Sequence, residues 1–259
     1  LHLIRPGRQH LEGSATRSGK LHWLLAFPNS RRWPRWGFRL AAHTATCHTR
    51  TQYGLGACYI NRRGHRSPPT HRPLRPVPLS HVYLGPRYRE AEIRQAAAAH
   101  GVELVELPNP ADVIAQELQA KRVVGLYEGP MEYGPRALGH RSILAEPTDP
   151  TMMDWLNKRL ERTEFMPFAP MILEERAPRY FRNLAKGAAP AQFMTTCVDV
   201  TAEGRTKAPG IVHKDGTARP QTISRTHQPL LHRALKRYEQ LTGLPLCINT
   251  SFNKHEEPI

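Results

Sequence analysis

The sequence predicts an α/β fold, one twisted sheet with flanking helices, preceded by a basic segment expected to be disordered. Three observations carry that expectation. Helix and strand signals alternate from about residue 81 onward, the pattern of an α/β domain built on one sheet. Hydrophobic residues make up 39% and charged residues 23% of the chain, enough for a globular core. The 259 residues suit one or two domains of roughly 100–200 residues each, with a boundary placed near residue 80.

The elements follow in order. Residues 90–100 (EAEIRQAAAAH) are alanine-rich and helix-favouring, with Gly101 as the stop. Asn109-Pro110 supplies an N-cap and a proline at the first helical position, opening a helix through Lys121. The β-branched run 122–127 (RVVGLY) reads as a buried strand. Asp149-Pro150 repeats the cap signal before a helix to about Leu160. Residues 167–173 and 192–200 read as strands. An amphipathic helix over 228–242 ends at Gly243, and 246–250 forms the last strand.

A formal net charge of +15 suggests an anionic partner such as nucleic acid, but its distribution argues otherwise. Of the 37 Lys and Arg residues, 14 lie in residues 1–78 beside a single acid, Glu12, a local charge of +13. The remaining 23 bases face 21 acids, so the rest is nearly neutral. Residues 1–80 lack any sustained period and are rich in Arg, His and Pro, the composition of a disordered segment or of a GC-rich region read out of frame. The alternative is an Arg-rich arm whose Trp33, Trp36 and Phe38 stack on bases; it ranks below chance in a biased composition. Cys47, Cys58, Cys197 and Cys247 have no zinc-ligand spacing, which suits a reduced cytoplasmic protein. No apolar run reaches the roughly 18 residues of a membrane span. The start at Leu1 and the end at Ile259 in mid-motif suggest a fragment.

Three blocks hold candidate chemistry. In GPMEYGPRALGHRSILAEP (129–147), glycines 129, 134 and 139 permit sharp turns and close approach to a ligand. Arg136 and Arg141 offer guanidinium forks suited to phosphate or carboxylate oxygens. The same residues also fit a structural loop whose arginines pair with Glu132 or Glu146. In LNKRLERTEFMPFAP (156–170), Lys158 and Arg162 share one face if helical and could pinch a triphosphate. A solvated face tied to Glu161 or Glu164 is the preferred reading without further context. The third block joins HKDGTARPQT (213–222) to Asn249-Thr-Ser-Phe-Asn253, placed just after the last strand, where side chains line the crevice of an α/β sheet. His213 with Asp215 fits an acid–base pair, two metal ligands, or a plain turn at Asp215-Gly216.

Taken in order, YLGP (83–86), the three blocks and CINTSFNKHEEPI (247–259) resemble the carbamoyltransferase family of nodulation and antibiotic O-carbamoyltransferases. The match covers residues 81–259, the family's C-terminal domain, which is similar to the YrdC/Sua5 fold. The resemblance implies that this domain binds ATP, with Mg2+, and carbamoyl phosphate, and forms carbamoyl adenylate. A Kae1-like N-terminal domain, carrying Fe2+ or a similar metal on histidines, would then pass the carbamoyl group to the hydroxyl of a small molecule. Fixed cations suit the first step, since two polyanions must be brought together.

The resemblance further implies that Arg136 and Arg141 hold carbamoyl phosphate or nucleotide phosphates, with Gly134 and Ser142 in the same motif. Ser251 and Asn253 match the Ser-x-Asn of the nucleotide site, and Lys158 and Arg162 stand for its Lys-x-Arg in a block one residue shorter than the commoner version. His213, Asp215, Thr217 and Arg219 line the same cleft. No metal ligand is expected in residues 81–259. The metal motif His-x-x-x-His is absent among His2, His10, His22, His43, His48, His65 and His71, so acceptor binding and transfer are expected to lie outside the legible part of the chain. Competing expectations are an RNA-binding module of the same fold and an inactive remnant of a disrupted gene.

Overall fold

The computed structural model describes residues 2–5, 79–161 and 167–252. The expectation of disorder over residues 1–80 therefore falls almost wholly outside the described residues, as do Arg162 and Asn253. Strand β1 (His2–Arg5) pairs antiparallel with β2 (Glu103–Glu106). Helix α1 (Glu90–Ala99) precedes β2, and helix α2 (Pro110–Gln119) lies between β2 and the first strand of the main sheet.

The main sheet has five strands in the order β3-β4-β9-β5-β8. These are β3 (Val124–Tyr127), β4 (Arg141–Ala145), β5 (Ala169–Leu173), β8 (Gln221–Ile223) and β9 (Leu246–Ser251). All neighbouring pairs are antiparallel except β5 with β8, so the sheet is mixed. Two-residue strands β6 (Val198–Asp199) and β7 (Thr217–Ala218) form a separate small ladder.

Strand alternation divides the core into two layers. Leu144, Met171, Leu173 and Cys247 face α2 and the long helix α7 (Pro229–Thr242). That helix buries Leu230, Leu231, Ala234, Leu235 and Tyr238, a stripe at helical spacing, and each large apolar side chain contributes roughly 1.5–3 kcal/mol relative to exposure. Ile143, Ile172, Leu246 and Ile248 face the other way, onto helix α3 (Met152–Arg159) and the short helices α4 (Ala177–Tyr180), α5 (Ala188–Ala191) and α6 (Ala202–Lys207). Gly243 closes α7 with φ +77, a conformation glycine adopts without steric cost.

The helices over 90–100, 110–121 and 149–160 appear with shorter bounds, and the Gly243 stop holds. Asn109 does not cap α2 through its side chain; its Nδ2 donates instead to Asp112 Oδ2 at 2.8 Å. Two expectations need correction. The strand expected over 192–200 shrinks to Val198–Asp199, because Gln192–Met194 continue as turns from α5, with Met194 at φ +53 and buried in the core. Asn249, Thr250 and Ser251 lie within β9 instead of after it. Among the described residues, no helix is long and apolar enough to cross a membrane.

Candidate functional site

The long connection between β3 and β4 is the glycine-rich block, and three devices fix its shape. The Glu132 carboxylate, buried at 4% exposure, turns inward. Its Oε1 accepts the backbone N–H groups of Leu138, His140 and Arg141 at 2.7, 2.7 and 3.0 Å. Ser142, in register with Ser251 across β4 and β9, accepts the Gly139 N–H at 2.9 Å. Gly139, at φ +108, lies where any Cβ would run into Leu231 of α7.

Arg141 belongs to the same scaffold. Its guanidinium donates to the carbonyls of Glu128 (2.7 Å), His140 (2.9 Å) and Gly129 (3.1 Å), and it stacks 3.5 Å over the Tyr127 ring. Burial pushes its pKa below the ordinary arginine value, opposed by Tyr127 and Glu132. The pairing with Glu132 or Glu146 weighed from sequence is not how this side chain is held. His140 stacks on Tyr83 with ring centroids 3.6 Å apart, and its Nδ1 lies 2.6 Å from the Pro130 carbonyl, so Nδ1 carries the proton and donates. Burial lowers the His140 pKa, which keeps the ring neutral.

Arg136 behaves differently. It is half-buried at the crest of this loop, and no carboxylate or carbonyl among the described residues holds it. Burial first, and then the neighbouring Arg219, lower its pKa. Arg219, in the short link between β7 and β8, is also half-buried, and its Nε is enclosed without a hydrogen-bond partner. Two guanidinium groups near each other, with no counterion among the described residues, have the chemistry to attract an anion with several oxygens.

The 213–217 hairpin lies near Arg219. Asp215 Oδ1 accepts the Thr217 N–H (2.9 Å) and hydroxyl (2.8 Å), which lowers the Asp215 pKa. The Thr217 hydroxyl proton is thereby engaged, so Thr217 Oγ1 accepts from His213 Nδ1 at 3.1 Å. Burial lowers the His213 pKa and Arg219 lowers it further, against Asp215. A neutral His213 with its proton on Nδ1 leaves Nε2 as an acceptor. The exposed Cys197 also lies near Arg136.

Arg219 thus lies near both Arg136 and His213, with Asp215 and Thr217 shaping the hairpin. Gly134 is exposed on the loop at φ +101. Ser251 is half-buried at the end of β9. Lys158 is exposed on α3, whose Met153 and Leu156 pack on the sheet face opposite α2 and α7. Among the described residues no group of three His, Cys, Asp or Glu side chains is placed to hold a metal ion.

Sequence reasoning missed the network under the loop. Gln221 Nε2 donates to the Leu138 carbonyl (2.7 Å), while Asn249 Nδ2 donates to Gln221 Oε1 (2.8 Å) and to the Ala137 carbonyl (2.9 Å). Tyr83 and Gln228 also reach Leu138 O, at 2.9 and 3.2 Å. Polar residues in apolar strands are the one sequence signal of such a network: Gln221 and Asn249 interrupt runs that are otherwise core. Beside it, Tyr83, Leu138, Phe193, Thr222, His227 and Gln228 help line a small open cleft.

Fold and site together define a mixed α/β domain that brings two half-buried arginines, Arg136 and Arg219, near each other. Comparison with known proteins makes this specific. The family profile described as Carbamoyltransferase C-terminus matches residues 115–259. The chain is 42% identical over 174 residues to Nodulation protein U of Bradyrhizobium diazoefficiens, covering 67% of this chain and 29% of that protein. It is 36% identical over 225 residues to Nodulation protein NolNO of Sinorhizobium fredii (85% and 31%), and 37% identical over 187 residues to an uncharacterized protein of Methanocaldococcus jannaschii (70% and 30%). The chain belongs to the carbamoyltransferase family, as a match to its C-terminal part, and spans about a third of the length of these relatives.

Proposed function

We propose that residues 81–259 form the activating domain of an ATP-dependent O-carbamoyltransferase, YrdC-like in fold, which makes carbamoyl adenylate from ATP and carbamoyl phosphate. The observation that carries this reading is the pair Arg136 and Arg219, half-buried, mutually repelling and without counterions among the described residues. Atoms balance if water converts carbamoyl phosphate to carbamate and inorganic phosphate. A carbamate oxygen then attacks the α-phosphorus of ATP, the bond to the bridging oxygen breaks, and pyrophosphate leaves. Negative charge gathers on phosphoryl oxygens throughout, and fixed guanidinium groups in a partly desolvated recess stabilise it.

In this reading Arg136 and Arg219 hold phosphates, while Arg141 and Ser142 keep the loop in shape. Gly134 allows close approach. His213, neutral and with Nε2 open, accepts a hydrogen bond or proton at the site; Asp215 and Thr217 hold its ring. Ser251 and Asn253 contact the nucleotide, and Lys158 with Arg162 supplies a second cationic pair. Magnesium enters on the triphosphate, since that ion keeps several waters and needs few protein carboxylates. The whole protein would work in the cytoplasm, with a metal-bearing N-terminal domain passing the carbamoyl group to a small-molecule hydroxyl.

Calorimetric titration of ATP into the chain and into Arg219→Ala tests the site. The variant should bind at least about tenfold more weakly, the loss of one charge-assisted contact. Equal affinity in a folded variant would sink the assignment.

A further inference from the structure

We infer that Gln221 is a positioning residue that sets the spacing of Arg136 and Arg219, an inference resting on the reading of those arginines as the anion site. Two guanidinium groups with no counterion among the described residues repel each other, so their separation must be held by the chain beneath them. Gln221 is fully buried and occupies the end of the sheet beneath the loop. It lies two residues beyond Arg219 on the strand side, and the carbonyl it grips, Leu138, lies two residues beyond Arg136 on the loop side. One side chain therefore ties together the main chain under both arginines.

The strut is stiff because both ends of the Gln221 amide and the Asn249 amide nitrogen are committed, while Asn249 Oδ1 stays buried without a partner among the described residues. Gln221 Oε1 accepts from Asn249, which fixes the amide orientation and leaves Nε2 to donate to Leu138 at 2.7 Å. Asn249, at 1% exposure in the central part of the sheet, grips the adjoining Ala137 carbonyl. Tyr83 and Gln228 close on Leu138 from the other side and on each other, with Gln228 Nε2 2.6 Å from the Tyr83 hydroxyl. Buried amides in such a network are costly to leave unpaired, so the arrangement has few alternatives. None of these side chains needs to touch the ligand for its removal to weaken binding.

The test is a double-mutant cycle on the full chain, with inorganic pyrophosphate as the titrated probe. Gln221→Met keeps the volume and removes both hydrogen bonds. Arg136→Ala should weaken binding about tenfold or more. Gln221→Met should weaken it severalfold in the wild-type background and have no effect in the Arg136→Ala background, because its influence passes through that arginine. The inference is overturned if Gln221→Met binds like wild type, or weakens binding by the same factor in both backgrounds. If Arg136→Ala leaves binding unchanged, the anion-site reading itself fails and takes the inference with it. Should Gln221→Met not fold, Tyr83→Phe carries the same background-dependent outcome with a smaller factor, since it removes one bond to the same carbonyl.

Discussion

Glu132→Gln isolates the charge at the centre of the loop while keeping its shape. One carboxylate oxygen accepts three backbone N–H groups at 2.7–3.0 Å inside the protein. A glutamine can present its carbonyl oxygen to the same three donors, so the geometry survives and only the charge is lost. Hydrogen bonds to a charged acceptor contribute about 1.5–3 kcal/mol and neutral ones about 1, so the substitution should cost about 1 kcal/mol per bond and about 3 in all. In a domain of this size each kcal/mol moves Tm by about 2–4 °C, which predicts a fall of roughly 6–12 °C. Thermal unfolding followed by circular dichroism reads this directly. A shift below about 2 °C would refute the claim that Glu132 acts as a buried charged template.

Arg141→Lys should cost about 2–3 kcal/mol in chemical denaturation, because an ammonium cannot serve three carbonyls and stack on Tyr127 at once; a neutral result would contradict its place in the scaffold. Gly139→Ala should destabilise by about 1–3 kcal/mol through positive φ and collision with Leu231. Combining it with Leu231→Ala should cost less than the two separately, which melting of the double variant checks. His140 and His213 both have pKa values lowered by burial, so the unfolded chain takes up protons first as pH falls below about 6.5. Stability should therefore drop on acidification from pH 7 through that value, and His140→Phe should make the drop shallower although it loses the bond to Pro130. An unchanged slope would remove His140 from the account.

The sequence revealed most where pattern and burial coincide. Helix α7 was legible because its apolar stripe runs from a proline start to a glycine stop. Strand β4 was not, because it begins with Arg141 and Ser142, and a strand whose first residues are polar merges with the loop before it. Residues 192–200 read as a strand, but over 192–194 the chain turns, and Met194 is buried at positive φ, which composition does not encode. The two arginines of the glycine-rich block look alike in sequence. They part only in three dimensions, where Arg141 meets carbonyls and Arg136 meets another arginine. Arg219 was named from the motif, but its proximity to Arg136 depends on how segments far apart in the chain fold together. The Gln221–Asn249 network was hidden for the same reason.

The proposed activation of carbamoyl phosphate with ATP at Arg136 and Arg219 is tested most directly by pyrophosphate release from the folded chain, assayed with ATP and carbamoyl phosphate together and singly. The account predicts release only when both are present, abolished by Arg136→Ala. Absence of release from soluble, folded protein with both substrates, or release from ATP alone at the same rate, would contradict it.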